Sequence, residues 1–380
     1  MKIIIDNKIP YIKGALEPFA EVIYIPGAKT TPEVVADADA LITRTRTICN
    51  ESLLKNSNVR MIATATIGYD HIDTAYCEKA GIQWTNAPGC NATSVEQYIA
   101  AALFSWALRH RIKLREKTIG VVGAGNVGSK VVRFCGILGM KVLVNDPPRE
   151  RNEGPEGFVS LQTIREKADI ISFHVPLTMD GQDATYHMVD ESFLTGMQKQ
   201  PLLINSCRGE VFDTQAVKTA YRKGKVSGLI IDCWENEPDI DRELLGICFL
   251  ATPHIAGYSK DGKANGTMMS VRAISRHFKL GIDNWQPGNI EMPDHTLIDI
   301  NGSRRDNESI LAEAVLSTYD IETDDENLRK NPGAFEKWRE DYPVRREFPT
   351  YTVKVAQVSE NAVRMLKEAG FEIMIQDEGR

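Results

Sequence analysis

The stretch TIGVVGAGNVG, residues 118–128, joins an apolar run to the glycine pattern GxGxxG, and a helical pattern follows it. In a strand–loop–helix unit of this kind, Gly123 permits the tight turn, Gly125 the close approach of a pyrophosphate, and Gly128 the packing of helix on strand. The helix N-terminus offers its unpaired N–H groups to the phosphates. A glycine turn without a nucleotide is the alternative. We predict a dinucleotide-binding loop built from Gly123, Gly125, Asn126, Val127 and Gly128.

An acidic residue, Asp146, ends the next apolar run, VLVND, about twenty residues beyond the loop. A carboxylate at this place accepts hydrogen bonds from the ribose hydroxyls and repels a 2′-phosphate. The sequence therefore favours NAD as the cofactor. Arg149 argues the other way, because a nearby arginine can accommodate the 2′-phosphate of NADP.

Nearly continuous apolar runs surround the loop, as expected for parallel strands covered on both faces: KTIGVV, MKVLVND, ADIISFHV, PLLINSCRG, GLIIDCW and CFLATPH. An earlier series of β-branched runs alternates with helical patterns and predicts a second parallel sheet. Between the two series, SVEQYIAAALFSWALRHR predicts a buried helix. We predict an α/β fold with two doubly wound parallel-sheet domains: a flavodoxin-like substrate-binding domain of residues 1–92 and 258–285, and a Rossmann NAD-binding domain of residues 93–257.

The segment NWQPGNIEMPDH contains two prolines and a glycine and is typical of a linker. Beyond it, residues 290–380 alternate short strands with helical patterns, which predicts a small C-terminal α+β module. Within this module TYTVKVAQ is expected to form an apolar strand with an exposed edge, and exposed edges invite pairing. We therefore predict that the module joins two copies of the chain into a homodimer.

The charge and cysteine content restrict the partners. The 380 residues carry a formal net charge of −7, which provides no general attraction for nucleic acid or anionic lipid. The N-terminus has no apolar leader segment, so a cytoplasmic location is expected. The seven cysteines are odd in number and never spaced as CxxC, which indicates buried reduced thiols rather than disulfides or metal ligands.

Four polar residues follow predicted strands of the second series: Arg208 after LLINSC, Asp232 at the end of GLIID, Glu237 a few residues later, and His254 after FLATP. Ligands of doubly wound sheets bind at the carboxyl ends of the strands. An ion pair of Arg208 with Glu237 on the surface, and a helix-capping role for Asp232, remain the alternatives. The four residues together favour a catalytic site.

The side chains suit hydride removal from a 2-hydroxy acid. His254 is suited to accept the hydroxyl proton, since histidine changes its charge near neutral pH. Glu237 would bind the other ring nitrogen and fix the tautomer. The planar guanidinium of Arg208 would clamp the carboxylate of the substrate.

The glycine loop together with NSCRGE, IDCWENEP and ATPHIAGY resembles the D-2-hydroxyacid dehydrogenase family. The resemblance implies that Arg208, Glu237 and His254 are catalytic, that the substrate is a small phosphorylated 2-hydroxy acid, and that the enzyme is a cytoplasmic homodimer. By matching motif positions it implies cofactor contacts for Asp146, Val175, Cys207, Asp232 and Gly257, and substrate contacts for Thr45, Thr66 and Tyr258.

The phosphate of such a substrate needs a local basic site in an acidic protein. The stretch ITRTRT, residues 42–47, places Arg44 and Arg46 at the end of a strand, and Arg44 matches the family position. Both arginines could instead be solvated surface charge. Arg345 and Arg346 are the rivals, because a dimer could carry them into the partner's site.

Two other functions compete with this one. A related dehydrogenase could act on 3-phosphoglycerate or on an unphosphorylated hydroxy acid. A protein of the same fold could also sense NAD without catalysis, but that would not need Arg208, Glu237 and His254 all intact. The complete set favours an enzyme.

Overall fold

The computed structural model describes residues 1–376. Within that range the strands are β1 Lys2–Asp6, β2 Glu21–Ile25, β3 Ala40–Thr43, β4 Met61–Thr64, β5 Gln83–Thr85, β6 Thr118–Val122, β7 Lys141–Asn145, β8 Ile170–Phe173, β9 Leu202–Asn205, β10 Gly228–Ile231, β11 Leu250–Ala251, β12 Leu297–Asn301, β13 Thr352–Ala356 and β14 Glu372–Ile375.

The helices in the same range are α1 Pro32–Val35, α2 Glu51–Leu54, α3 Thr74–Ala80, α4 Ala92–His110, α5 Asn126–Ile137, α6 Pro147–Glu153, α7 Leu161–Lys167, α8 Glu191–Thr195, α9 Thr214–Arg222, α10 Arg242–Ile247, α11 Lys260–Phe278, α12 Asn307–Thr318, α13 Ile321–Lys330, α14 Phe335–Glu340 and α15 Glu360–Ala369. Short 3-10 helices occupy Gly27–Lys29, Leu114–Glu116, Gly209–Val211, Pro332–Ala334 and Phe348–Thr350.

One compact unit comprises Met1–Asn91 and Tyr258–Met292. Its sheet is parallel with the strand order β2-β1-β3-β4-β5, which is the flavodoxin-like order. Along β1, Ile3 and Ile5 pack on one face of the sheet and Ile4 packs on the other. Because both faces are buried, the strand is apolar throughout rather than alternating. The predicted flavodoxin-like sheet is confirmed.

The second compact unit comprises Ala92–Gly257 and the chain from Pro293 onward. Its six-stranded parallel sheet has the order β11-β10-β9-β8-β6-β7. The strand order reverses at β6, which pairs with β7 on one side and β8 on the other. Ligands of doubly wound sheets bind at such a reversal, and the glycine loop follows β6 directly. The predicted Rossmann-type sheet is confirmed, and α4 is the buried helix that the sequence predicts.

The C-terminal segment forms a third sheet with the order β12-β13-β14, in which both pairings are parallel. The stretch TYTVKVAQ supplies β13, which is the central strand, with hydrogen-bonded neighbours along both edges. The expectation that this strand has an exposed edge is therefore wrong. Its apolar residues Val353 and Val355 are buried because they face α12 and α15, which cover this sheet.

The C-terminal segment contributes to the core of the NAD-binding sheet. Leu328 and Phe335 belong to the same buried cluster as residues of β8, β9 and β10. The outward N–H group of Ala251, on the edge strand β11, donates to Oδ1 of Asp325 at 2.7 Å. The structure thus groups this segment with the sheet that it covers, while the division into three domains, with a separate dimerisation module, stays a prediction.

Two further observations concern the cysteines and the helices. All seven cysteines are buried and free, which confirms the prediction of reduced thiols. Among residues 1–376, none of the helices combines the length and the apolar character that crossing a lipid bilayer demands.

Candidate active site

The glycine loop has the geometry that a bound pyrophosphate requires. Gly123 has a φ of +84°, and a Cβ there would lie 2.7 Å from the carbonyl oxygen of His174. A Cβ on Gly128 would lie 1.9 Å from the carbonyl oxygen of Gly123, so only glycine lets α5 pack this closely on the loop. The described residues leave the space beside Gly125 open, and Gly125 and Asn126 are exposed. The first turn of α5 can therefore receive a phosphate.

Asp146 is fixed beside this loop. Its Oδ2 accepts the N–H of Ala124 at 2.7 Å, and its Oδ1 accepts the N–H of Arg149 at 3.0 Å, which caps α6. The guanidinium of Arg149 donates to both carboxylate oxygens of Glu153, at 2.7 Å each, and to the carbonyl oxygen of Ala124. The arginine that argued for NADP is therefore paired with a carboxylate of its own helix.

Two other predicted cofactor residues lie at the carboxyl ends of neighbouring strands. Val175 follows β8, and its Cγ1 would lie 2.9 Å from a Cβ on Gly123. Cys207 follows β9, where its N–H donates to Oδ1 of Asn205 at 3.1 Å. Burial raises the pKa of the Cys207 thiol to about 11, so the thiol is protonated at neutral pH. Both residues lie at the carboxyl edge of the sheet, where a cofactor would bind. Their contact with the cofactor remains a prediction.

His254 and Glu237 form a hydrogen-bonded pair. Nδ1 of His254 lies 2.8 Å from Oε2 and 3.1 Å from Oε1 of Glu237, and the N–H of Trp234 donates to Oε1 at 2.9 Å. Burial raises the pKa of Glu237, but the His254 ring and the Trp234 N–H lower it further, so the pKa lies below its ordinary value. The carboxylate thus holds the Nδ1 proton and leaves the lone pair on Nε2 to accept another proton.

The turn that carries His254 is anchored by Asp232. His254 has a φ of +55°, a conformation uncommon outside glycine, and its N–H donates to the carbonyl oxygen of Asp232 at 2.8 Å. Oδ1 of Asp232 accepts the N–H of Ile255 at 2.7 Å, and Oδ2 accepts the N–H of Ala256 at 3.0 Å. Asp232 was predicted as a cofactor residue. Its side chain is buried and bonded to this turn, a structural task that the sequence did not reveal.

Arg208 follows β9 on a loop that lies directly on the Glu237 loop. Its Nη1 donates to the carbonyl oxygen of Cys207 at 2.8 Å, and its own carbonyl oxygen accepts Nδ2 of Asn205 at 2.9 Å. A Cβ on the next residue, Gly209, would lie 2.0 Å from the carbonyl oxygen of Trp234. The loops after β9, β10 and β11 are therefore packed against one another, and they carry Arg208, Asp232, Glu237 and His254 at one edge of the sheet.

The predicted substrate residues belong to the other compact unit. Arg44 and Thr66 follow the neighbouring strands β3 and β4. Nη1 of Arg44 lies 3.4 Å from the carbonyl oxygen of Lys8, and Thr45 is exposed beside it. Oγ1 of Thr66 donates to the carbonyl oxygen of Gly68 at 2.8 Å. The carboxyl edge of this sheet thus presents a cation and hydroxyl groups together.

Tyr258 begins the second segment of that same unit. The Nζ atom of Lys263, one turn into α11, lies 4.4 Å from the centre of the tyrosine ring. Gly257, a predicted cofactor residue, ends the preceding segment and is half-buried. The roles of both residues remain predictions.

The two neighbouring arginines of the C-terminal segment, Arg345 and Arg346, differ in burial. The side chain of Arg345 is 3 % exposed and is bonded within its own chain to Ser94 and to the carbonyl oxygens of Ile255 and Ala256. These bonds occupy Arg345 within its own chain, which argues against the alternative that it reaches the site of a partner. Arg346 is half-buried, and its carbonyl oxygen accepts Nε2 of Gln97 at 2.9 Å. The sequence places Arg345 and Arg346 side by side without indicating which one is buried.

The described residues include one cluster with the composition of a metal site. Ligand atoms of Cys233, Glu237 and His254 lie within 4.8 Å of one another. Burial raises the pKa of the Cys233 thiol well above its ordinary value, so the thiolate that a metal requires is disfavoured. The direct bond between Glu237 and His254 further favours a proton-handling pair over a metal centre.

The chain is similar to known proteins over most of its length. Residues 93–256 match the D-isomer specific 2-hydroxyacid dehydrogenase, NAD binding domain, and residues 291–370 match a domain of unknown function. The erythronate-4-phosphate dehydrogenase of Bacteroides fragilis is 51 % identical over 94 % of this chain and 100 % of its own length. The enzyme of that name from Porphyromonas gingivalis is 44 % identical over 95 % of this chain and 97 % of its own.

A solved structure shows the same fold. The NAD⁺-bound 3-phosphoglycerate dehydrogenase of Entamoeba histolytica superimposes with a TM-score of 0.63 at 26 % identity, covering 77 % of this chain and 99 % of that one. The matched domain and the glycine loop make NAD the cofactor. The chain therefore belongs to the NAD-dependent D-2-hydroxyacid dehydrogenase family, together with relatives named erythronate-4-phosphate dehydrogenase.

Proposed function

We propose that the protein oxidises 4-phospho-D-erythronate at C2 to 2-oxo-3-hydroxy-4-phosphobutanoate, as a step in the biosynthesis of pyridoxal phosphate. The identity of 51 % to an erythronate-4-phosphate dehydrogenase over nearly the whole chain carries this choice of substrate. The family and the bonded pair of His254 and Glu237 support the chemistry.

The substrate loses a hydride and a proton in this reaction. The C2–H bond breaks and its electron pair leaves with the hydrogen as a hydride, the hydroxyl gives up its proton, and a C2=O bond forms. NAD, when bound, supplies the hydride acceptor. Nε2 of His254 takes the hydroxyl proton, and the Glu237 carboxylate stabilises the imidazolium that results.

Arg208 binds the carboxylate of the substrate in this proposal. A guanidinium matches a carboxylate with two parallel hydrogen bonds and remains charged at every physiological pH. Its loop is fixed by Asn205 and by the close packing at Gly209, so the side chain begins from a rigid backbone. Rigid supports of this kind hold a substrate in the reactive orientation.

The first compact unit is proposed to supply the remaining substrate contacts, from Arg44, Thr45, Thr66 and Tyr258. Arg44 would bind the 4-phosphate, because Thr45 beside it offers a hydroxyl and the turn is accessible. The acidic protein gives no other general attraction for a dianion, so a local cation is needed.

The decisive experiment offers the purified protein NAD and a panel of 2-hydroxy acids, and follows the absorbance of the reduced cofactor. We expect 4-phospho-D-erythronate to give the highest kcat/KM, well above D-erythronate and 3-phosphoglycerate. A preference for 3-phosphoglycerate would assign the protein to the alternative dehydrogenase. NAD binding without reduction by any acid of the panel would favour a sensing protein.

We also propose that the protein is a cytoplasmic homodimer. The seven buried reduced cysteines fit a reducing compartment. The exposed apolar residues Met374 and Ile375 on the edge strand β14 offer a surface for a second copy. Light scattering of the full-length chain should give the mass of a dimer at micromolar concentration, and the mass of a monomer would contradict the proposal.

A further inference from the structure

A buried arginine from the C-terminal segment contacts the turn that carries His254. Arg345 lies between α14 and the 3-10 helix Phe348–Thr350, and its side chain is 3 % exposed. Its Nη2 donates to the carbonyl oxygens of Ile255 and Ala256, and to Oγ of Ser94 on α4. Ile255 and Ala256 are the two residues that directly follow His254.

The same two residues are bound through their N–H groups by Asp232. The Asp232 carboxylate accepts the N–H groups of Ile255 and Ala256, while the Arg345 guanidinium donates to their carbonyl oxygens. An anion and a cation thus hold opposite polar groups of one short turn. Such paired charge-assisted bonds fix a backbone more firmly than neutral bonds do.

The setting of Arg345 keeps the guanidinium charged and in place. Its central carbon lies 4.5 Å from the ring centre of Tyr319 and 5.6 Å from that of Tyr342. The Tyr342 hydroxyl accepts Nη1 of Arg345 at 3.3 Å and donates to Oδ2 of Asp324 at 2.8 Å. Burial lowers the pKa of Arg345, but Tyr342, Tyr319 and Asp324 raise it further, so the net shift is upward.

Burying a cation is costly, and well-packed apolar residues often serve stability equally well. The buried guanidinium of Arg345 is therefore better explained by its effect on the orientation of the two carbonyl groups than by a contribution to stability alone. His254 itself has the uncommon φ of +55°, and such a conformation persists only where its surroundings enforce it. Asp232 and Arg345 are charged side chains that bind the two residues directly after it.

We propose that Arg345 is a positioning residue for the dehydrogenase reaction, which holds the His254 turn in its reactive geometry through the carbonyl groups of Ile255 and Ala256. The C-terminal domain of unknown function then contributes to catalysis within its own chain. This inference rests on the proposed role of His254 as the proton acceptor.

The test compares two arginines of the same C-terminal segment. Arg329 also donates to backbone carbonyl groups of the NAD-binding fold, those of Leu245 and Cys248, at 2.7 and 2.9 Å. Those residues lie before β11, away from the His254 turn. Arg329→Met is therefore the matched control for Arg345→Met, because each removes one arginine that attaches the segment to the fold.

We expect Arg345→Met to lower kcat by about 10- to 100-fold, because a displacement near 1 Å can cost that much, while the Kd for NAD changes by less than about threefold. Arg329→Met should keep kcat within about twofold of the wild type, even if Tm falls. Equal losses of kcat in both variants, or an unchanged kcat in Arg345→Met, would overturn the proposal.

Arg345→Lys keeps the test valid if the methionine variant does not fold. Lysine loses the Nη1 contact to the Tyr342 hydroxyl and the planar group beside the rings of Tyr319 and Tyr342, so its ammonium is not held at the two carbonyl groups, and kcat should fall by at least about fivefold with Tm preserved. An unchanged kcat for this folded variant would overturn the proposal.

A spectroscopic readout separates this inference from the proposed substrate. The Nδ1 proton of His254, bonded to Glu237, should give a downfield proton resonance that His254→Ala removes. The resonance should persist in Arg329→Met and shift or disappear in Arg345→Met. If it is unchanged in Arg345→Met, the positioning role is excluded. A wild-type protein that oxidises no acid of the panel would refute the proposed function alone.

Discussion

The carbonyl oxygen of Gly123 lies 1.9 Å from the position that a Cβ on Gly128 would occupy. The two glycines are five residues apart, and their contact brings the first turn of α5 onto the loop that follows β6. A side chain at residue 128 would have to displace backbone, which cannot yield as a flexible side chain can. The phosphate-binding geometry of the loop therefore depends on a contact within the protein.

Gly128→Ala should weaken NAD binding by at least about tenfold and destabilise the protein, because overpacking typically costs about 1 to 3 kcal/mol. Gly136→Ala is the matched control, since it lies in the same helix with open space around its Cβ position. That variant should be neutral or gain up to about 1 kcal/mol. Titration with NAD and thermal melting compare the two, and an equal NAD affinity in both would contradict this account of the loop.

His254→Ala should lower kcat by about a hundredfold to ten-thousandfold while the Kd for NAD changes only a few fold. The reason is that the side chain handles the proton, whereas the glycine loop binds the cofactor. Steady-state kinetics and NAD titration measure the two effects separately. A variant with near-normal turnover would remove His254 from the mechanism.

Glu237→Gln tests the partner of that histidine through the pH dependence. Oxidation should slow on acidification because a protonated imidazole cannot accept the hydroxyl proton. Without the carboxylate, protonation of the ring is less favourable, so the acid limb of the kcat profile should move to lower pH. A profile that keeps its position would show that Glu237 does not act on His254.

The same carboxylate also links stability to pH. The pKa of Glu237 is lower in the folded protein than its ordinary value, so the ionised group stabilises the fold above the unfolded pKa of about 4.3. That contribution is lost as the pH falls through the folded pKa. The Tm of Glu237→Gln should therefore fall less than the Tm of the wild type when the pH is lowered from about 5 to about 3.

Asp146→Ala should weaken NAD binding and allow some use of NADP, because it removes both the ribose acceptor and the repulsion of the 2′-phosphate. The structure adds a second requirement, since Glu153 binds Nε and Nη2 of Arg149. The double variant Asp146→Ala with Glu153→Gln should use NADP better than either single variant. The ratio of kcat/KM for the two cofactors measures this, and a wild-type preference for NADP would contradict the reading of Asp146.

Arg44→Ala should raise KM for the phosphorylated acid far more than for its unphosphorylated analogue, since a charged hydrogen bond is worth about 1.5 to 3 kcal/mol. Arg46→Ala is the control, because Arg46 carries the same charge in the same turn. An equal loss on both substrates would place the phosphate elsewhere. With Arg345 buried, the half-buried Arg346 would be the next residue to test.

The predictable parts of this protein are those encoded by local sequence. The glycine loop, the apolar strands and the polar residues after them depend on neighbours within a few positions, so the two large sheets and the pair of His254 and Glu237 follow from the motifs. The sequence could not show that TYTVKVAQ has neighbours on both edges, because β12 lies some fifty residues earlier in the chain. Nor could it show Arg345 as buried, since its partner Ser94 is 251 residues away.

The contact between Asp325 and Ala251 has a consequence for synthesis of the chain. The ribosome makes β11 well before α13, so the last strand of the NAD-binding sheet emerges while its covering helix is still missing. Leu328 and Phe335, which complete the core of that sheet, also arrive late. A nascent chain halted near residue 290 would therefore expose apolar surface and an unpaired strand edge, a state prone to aggregation. Removing the C-terminal domain, or replacing it with another domain, would expose the same apolar surface and strand edge.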